Sequence, residues 1–220
     1  MTDVTDFIKL QTWLSPSFPT GAFSYSQGLE AAIEHGLIQD KQDLADWLAT
    51  LISDGAGWNE ALLISECWGI ADDTEALKDV AELARALCFS KLRLKESCEQ
   101  GQAFLKAAQT WQPDLDEGLM ADCPLPVAVG VLTGRAKIDQ GMVLAAYLNA
   151  YASNLIQASL RLMKLGQQGG LSVLASLEPV IAKTAAKALA SDLDAMSANT
   201  FAADICAIKH ETLTSRIFIS

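Results

Sequence analysis

The amino-acid sequence predicts an all-α fold, a single compact multi-helix domain of about eight to ten helices over residues 1–220. Half of the 220 residues are hydrophobic and a fifth are charged, which is typical of a globular protein with a sizeable core. Alanine and leucine outnumber valine and threonine, and this bias favours helix over sheet. Apolar residues recur at i, i+3/i+4 spacing and no longer repeat is visible, so a helical solenoid is not indicated.

Residues 15–30 are the exception, because they predict a stiff opening loop that leads into a helix. Pro16 and Pro19 fix their own φ angles, and Gly21 permits a bend. Aromatic side chains are interleaved with these residues. They either fold back to plug the end of a helix bundle, the favoured interpretation, or present an interface: Phe18, Phe23 and Tyr25.

Capping residues and apolar periodicity predict the helices and their limits. Asp40 and Asp139 are expected N-caps, residues 72–74 a turn and cap, and Gly36 a C-cap. Residues 166–170 are expected to form a turn after the longest helix, and a short helix is possible around Leu119. The predicted helices are 24–34, 40–52, 58–71, 75–111 (as two helices), 127–133, 140–165, 171–191 and 201–208. Ser24 and Ser26 are expected N-caps of the first helix, and Gly55 and Gly57 are expected to end the second. The pair within 75–111 is expected to bend near Phe89–Ser90 or Gly101, the helix 127–133 to follow Pro124 and Pro126, and the helix 171–191 to kink or restart at Pro179.

The segment Gln140–Leu160 is an uncharged run long enough to cross a bilayer. Its amide and hydroxyl side chains would face lipid in a single span, which is unfavourable. We therefore expect a buried central helix and no membrane span.

The charge excludes several classes of partner. The chain has 27 acidic and 16 basic residues, a formal net charge of −11. Nucleic-acid binding depends on lysine and arginine contacts to phosphate, and anionic membranes attract basic segments. Neither nucleic acid nor a membrane surface is therefore expected as a partner.

Five cysteines, an odd number without C-x-x-C spacing, indicate reduced thiols and a cytoplasmic location. The first residues are acidic and do not resemble a secretory leader. A structural zinc site needs four clustered Cys or His ligands, and the chain has only two histidines. The sequence therefore predicts neither a metal site nor a bound cofactor.

Catalytic motifs are also missing from the sequence. It contains neither a phosphate-binding loop ending in Gly-Lys-Ser/Thr nor a Gly-x-Ser-x-Gly turn. His35 is placed to complement a helix C-terminus, and His210 beside Glu211 defines no catalytic pair, since adjacent side chains point in different directions. The sequence therefore predicts a protein that is not an enzyme.

Three separated motifs nevertheless resemble one family, the UreF urease accessory proteins. The first is Ser15-Pro16-x-x-Pro19-x-Gly21-x-Phe23-Ser24-Tyr25-Ser26-x-Gly28-Leu29-Glu30, the second runs from Ala158 through Arg161 to Gly166-Gln167-Gln168, and the third is His210-Glu211-Thr212 to Arg216-Ile217-Phe218-Ile219-Ser220. Departures are Ala22 where the family commonly has Gly, Ile217 for Leu, and Ile219 where Arg is frequent. The last of these weakens any role for a penultimate cation.

The resemblance implies a non-enzymatic, all-helical cytoplasmic protein that helps to insert nickel into the urease active site. Proteins of this family bridge the UreD/UreH-type accessory protein and the UreG-type GTPase, modulate that GTPase, act on the urease apoprotein and dimerise. Nickel would be handled only within the assembled complex. No catalytic, cofactor or metal residue is implied for this chain.

We hypothesise that the opening loop and the tail, residues 209–220, form one partner-binding surface, the tail docking on a partner or on the body of the protein. The Arg216 guanidinium would pin the tail near Tyr25, with Phe218 docked beside it. Lys164 is the next candidate for the GTPase-facing surface, although a solvated lysine at a helix end explains it almost as well. The candidate partner-binding residues are Phe23, Tyr25, Glu30, Lys164, Gln167, His210, Glu211, Arg216 and Phe218.

Two alternatives stay open at this point. One is a helical enzyme with a pocket in the bundle core that uses His35 or His210 as a base. The other is a general helical scaffold unrelated to urease.

Overall fold

The computed structural model describes residues 3–115, 118 and 121–220. These residues form helices and connecting loops, and they include no β-strand. The predicted short helix around Leu119 lies outside the described residues. The helices are α1 (Val4–Trp13), α2 (Leu29–Glu34), α3 (Lys41–Asp54), α4 (Ala56–Gly69), α5 (Thr74–Ala86), α6 (Lys91–Ala108), α7 (Leu125–Arg135), α8 (Gln140–Leu162), α9 (Gly166–Leu189) and α10 (Phe201–His210).

The predicted all-α class is confirmed, and so are several helix ends. The carboxylates of Asp40, Asp73 and Asp139 accept hydrogen bonds from backbone N–H groups of the first turns of α3, α5 and α8. Gly36, directly after α2, has φ +72°, as expected of a C-capping glycine. These signals depend on residues a few positions apart, which is why they can be recognised in the sequence.

Two predicted elements are wrong. The helix expected at 24–34 begins only at Leu29, because Gln27 and Gly28 both have positive φ, which a right-handed helix cannot include. Residues 166–170, expected to be a turn, instead form the start of α9. Gly170 packs there against α8, where an added Cβ would lie 3.0 Å from the Ile156 side chain.

Helix α1 was not predicted at all. Asp3 caps it, and its buried residues Leu10 and Trp13 pack into the core. Trp13 meets Trp111 edge to face, with ring centroids 5.9 Å apart. The N-terminal helix thus places aromatic surface beside the opening loop.

The core surrounds α8, whose apolar stripe is buried as expected of a central helix. Helices α4 and α7 cross so closely that glycines are required at the contact. A Cβ on Gly130 would lie 2.6 Å from the Cys67 Cβ, and one on Gly134 would lie 2.5 Å from the Trp68 carbonyl oxygen. One cluster of buried apolar residues extends from Leu10 to Phe218 and so includes both ends of the described chain.

Among the described helices, none is both long and apolar enough to cross a membrane.

Candidate partner-binding site

The Glu30 carboxylate, on α2, holds the tail against the protein. It is only 7% exposed and accepts hydrogen bonds from the backbone N–H groups of Ile217 at 2.7 Å and Phe218 at 3.0 Å. His210, fully buried at the end of α10, places its Nε2 atom 3.0 Å from the second Glu30 oxygen. One carboxylate therefore joins α2, α10 and the tail.

The electrostatics of this site favour the ionised carboxylate. Burial alone would raise the pKa of Glu30. The hydrogen bonds from the Ile217 N–H, from His210 and from the Phe218 N–H outweigh that effect, so the pKa lies below its usual value. Glu30 is therefore an ionised carboxylate that clamps the tail, in the sense that its hydrogen bonds hold the tail N–H groups and His210 together.

A second set of contacts ties the tail to the opening loop. The Ser26 N–H and the Ser26 hydroxyl both donate to the Ser220 carbonyl oxygen, at 2.7 and 2.5 Å. The Ile219 N–H donates to the Ser24 carbonyl oxygen at 2.8 Å. These hydrogen bonds hold the tail against the opening loop, and whether the two segments together bind a partner stays a prediction.

Local backbone geometry explains why the loop can reach the tail. Gly28 has φ +80° and lies against α10, where an added Cβ would be 2.6 Å from the Ala207 backbone nitrogen. Only glycine meets both conditions without strain. This contact sets α2 against α10, and it thereby brings Glu30 to His210.

Phe218 is the apolar anchor of the tail. It is 3% exposed, and the guanidinium carbon of Arg161 lies 4.5 Å from the centre of its ring. Arg161 also donates from Nη1 to the Phe23 carbonyl oxygen at 3.3 Å. A single arginine of α8 thus contacts both the tail and the opening loop.

The predicted pinning role of Arg216 is wrong. Its side chain is exposed and makes no hydrogen bond or ion pair with any other described residue. Arg161 provides the guanidinium contact instead. The motif that contains Arg161 can be recognised in the sequence. The contact between Arg161 and Phe218 cannot, because the two residues are far apart in the chain.

The loop aromatics divide between the two predicted roles. Phe18 is buried against Phe104, with ring centroids 5.3 Å apart, and Tyr25 is also buried. The Tyr25 hydroxyl donates to Glu99 at 2.5 Å, and burial together with this carboxylate raises the pKa of the phenol. Phe23 is 56% exposed and remains free to contact another molecule.

Other candidate residues lie near this site or apart from it. Lys164 is exposed between α8 and α9, and Gln167 is exposed in the first turn of α9. Glu211 accepts a hydrogen bond from the Lys91 N–H at 2.9 Å, which fixes the start of the tail to α6. His35 is exposed at the C-terminus of α2, as the sequence predicts for a residue that complements a helix end.

A buried ionic cluster near the site was not found from the sequence. Arg93 forms ion pairs with Glu96 at 2.6 Å and with Glu60 at 3.3 Å, and the Tyr147 hydroxyl donates to Glu60 at 2.8 Å. We refer to these four residues as the interior polar cluster. The one available signal was the placement of Arg93 and Glu96 three positions apart, on one face of a helix.

Burial and the paired charges act in opposite directions within the cluster. Burial raises the pKa of Glu60, although Arg93 and Tyr147 oppose the rise. Burial would lower the pKa of Arg93, but the two carboxylates more than compensate, so the guanidinium stays charged.

The arrangement of His210 and Glu30 is suited to structure and not to catalysis. The carboxylate already accepts bonds from two tail N–H groups, and the imidazole is fully enclosed. A general base must be able to reach a substrate proton. The pair therefore holds the tail.

Fold and site together define an all-α protein with a surface assembled from two distant segments. The UreF family model matches residues 38–178. The chain is 47% identical over 216 residues to the urease accessory protein UreF of Brucella ovis, covering 98% of this chain and 95% of the relative. It is 46% identical to urease accessory protein UreF 1 of Brucella anthropi, with 97% and 94% covered, and 44% identical to urease accessory protein UreF of Mesorhizobium japonicum, with 97% and 96% covered.

The chain belongs to the UreF family of urease accessory proteins. Its relatives are named as accessory proteins, which confirms the prediction that it is not an enzyme. The two alternatives drawn from the sequence, a helical enzyme and a scaffold unrelated to urease, are thereby set aside.

Proposed function

We propose that this protein bridges a UreD/UreH-type accessory protein and a UreG-type GTPase in the complex that inserts nickel into the urease apoprotein, and that it modulates the GTPase. The observation that carries the proposal is the clamping of the tail onto the opening loop by Glu30, which builds one surface from two separate family motifs. The names of the relatives support the link to urease. Residues 1–220 act as one domain in this role.

The surface that receives the GTPase is formed by the exposed side chains of the joined segments. Phe23, Ile217 and Ile219 are 56%, 55% and 40% exposed, and Arg216 is exposed beside them in the sequence. Aromatic residues such as Phe23 and arginines such as Arg216 are enriched at protein interfaces. Lys164, which follows the end of α8, and Gln167, in the first turn of α9, extend the surface beyond Arg161.

The residues beneath this surface have a supporting role. Tyr25, Glu30, His210 and Phe218 are buried, so they position the surface and do not touch the partner. Glu211 contributes in the same way through its bond to the backbone of α6.

Nickel is cargo of the assembled complex and not a bound cofactor of this chain. Within the part of the chain that the structure describes, no three His, Cys, Asp or Glu side chains are grouped so that they could hold a metal ion. The protein works in the cytoplasm as a homodimer, which size-exclusion chromatography with light scattering would test.

The experiment is a capture assay with the purified GTPase combined with a complementation assay. Arg216→Ala should lower capture of the GTPase while the helical content stays unchanged. Lys183→Ala is the matched control, since Lys183 is an exposed cation on α9 outside the proposed GTPase-binding surface. Unchanged capture by Arg216→Ala would reject the proposed surface.

Complementation tests the broader role. Co-expression of the urease structural and accessory proteins without this chain should give little nickel-dependent urease activity, and adding the chain should restore it. Full activity in its absence would reject the assembly role.

A further inference from the structure

Ser220 connects the docked tail directly to the interior polar cluster. Its hydroxyl donates to Glu96 at 2.5 Å, and both residues are almost fully buried, at 2% and 1% exposure. Ser220 also holds Ser26 of the opening loop through its carbonyl oxygen. The last tail residue in the structure therefore touches the loop and the core at once.

Glu96 is the centre of the contacts that follow. Besides Ser220 and Arg93, it accepts hydrogen bonds from the side-chain amides of Gln27 and Gln100, both at 3.2 Å. The carboxylate thus engages the tail, the opening loop and α6. Removing one of these donors changes how the others are satisfied, because hydrogen bonds to one buried carboxylate are coupled.

Two residues that adjoin the interior polar cluster, Gln27 and Tyr151, are strained or lack hydrogen-bond partners. Gln27 has φ +56°, which is unfavourable for a residue other than glycine. The Oε1 atom of Gln27 and the hydroxyl of Tyr151 are buried and have no hydrogen-bond partner among the described residues. Because of this strain and these unpaired polar atoms, an alternative arrangement of the same side chains requires less free energy to reach.

There is also space for such a change. Two small cavities, of about 70 and 90 Å³, adjoin the same residues: Gln27, Glu60, Arg93, Ser97 and Tyr151 line both. In a close-packed core these side chains could not move without displacing neighbours. Here they separate two small cavities.

We infer that the tail and the interior polar cluster form one conformational unit, in which the bond from Ser220 to Glu96 fixes the arrangement of Gln27 and Arg93. Withdrawal of the tail frees Glu96, and the cluster then relaxes into the adjoining cavities. The inference concerns this chain alone and does not depend on the identity of any partner.

The first test uses two cysteines of similar environment as reporters. Cys88 lines the second cavity, whereas Cys98 lines neither of these cavities; both are half-buried and donate to a backbone carbonyl. Ser220→Ala should raise the alkylation rate of Cys88 relative to Cys98 by about tenfold, as expected for loss of a hydrogen bond to a charged group. Iodoacetamide labelling with peptide mass spectrometry measures both rates in one sample.

Ser215→Ala is the matched control, because Ser215 is an exposed serine of the same tail. It should leave the Cys88 to Cys98 ratio unchanged. Circular dichroism of each variant establishes that the helices are intact. An unchanged ratio in folded Ser220→Ala would overturn the inference.

The second test uses the reciprocity of thermodynamic coupling. Glu96→Gln removes the charge inside the cluster and leaves every tail residue in place. It should increase hydrogen exchange of the Ile217 and Phe218 amides by about tenfold, whereas Glu82→Gln, which changes an exposed carboxylate on α5, should not. Tail exchange unaffected by Glu96→Gln would show that the two regions are independent, and the inference would fall.

Discussion

Glu30 and His210 are 180 residues apart in the sequence, yet the Glu30 Oε2 and His210 Nε2 atoms lie 3.0 Å apart in the buried interior. Because the same carboxylate also accepts bonds from two tail N–H groups, this pair joins the tail to α2 and α10.

Glu30→Gln should release the tail without unfolding the helices. The neutral amide loses charge-assisted bonds worth about 1.5–3 kcal/mol each. Hydrogen exchange of the Ile217 and Phe218 amides should rise by at least about tenfold. Glu34→Gln, an exposed substitution on the same helix, serves as the control, and equal exchange in the two variants would contradict the clamp.

Docking of the tail should depend on pH in the acidic range. The pKa of Glu30 in the folded protein is below its ordinary value of 4.5. The stabilisation is therefore complete above that ordinary value and is lost as the pH falls through the folded pKa. Nuclear magnetic resonance of the tail amides between neutral pH and about pH 3 should show this release. Glu30→Gln should show no such transition, and a transition that persists in this variant must come from another group.

Arg161→Ala should weaken the docked tail by about 0.5–1 kcal/mol, the usual range for a cation–π contact near the surface. The rate of trypsin cleavage after exposed Arg216 measures this change, because an undocked tail binds more readily in the active site of trypsin. Arg161→Lys retains the charge and should give an intermediate rate. The cleavage rate of Arg161→Ala should exceed that of the unmodified protein; if it does not, Arg161 does not hold the tail.

Gly130→Ala should destabilise the fold by about 1–3 kcal/mol, because the new methyl group overpacks the crossing of α4 and α7. Gly69→Ala is a matched control, since an added Cβ there meets no atom within 4 Å. Urea unfolding followed by circular dichroism compares the two variants. Equal midpoints would show that the crossing can accommodate a methyl group.

Features that depend on neighbouring residues, such as helix caps, could be predicted from the sequence. Contacts between residues far apart in the chain could not. The caps at Asp40 and Asp139 follow from their own neighbours, so the starts of α3 and α8 were correct. Helix α1 was missed because its exposed positions are also apolar, with Phe7 at 48% and Ile8 at 56% exposure, which blurs the amphipathic pattern.

The site was predictable as a region and not in its contacts. Glu30, His210 and Phe218 were singled out through their motifs, but which arginine meets Phe218 depends on how α8 crosses the tail. Spacing in the sequence carries no information on that crossing. The interior polar cluster could not be predicted either, because its members come from three helices whose packing is not evident from sequence spacing.

The bonds between Ser26 and Ser220 span 194 positions. A ribosome makes Ser26 early and Ser220 only after the ten helices of the described residues have been synthesised, at about 5–20 residues per second. The joined surface can therefore form only after Ser220 has been made. A chain interrupted before residue 217 would lack both backbone N–H groups that donate to Glu30, so a partner that binds this surface would select chains that include the tail over shorter ones.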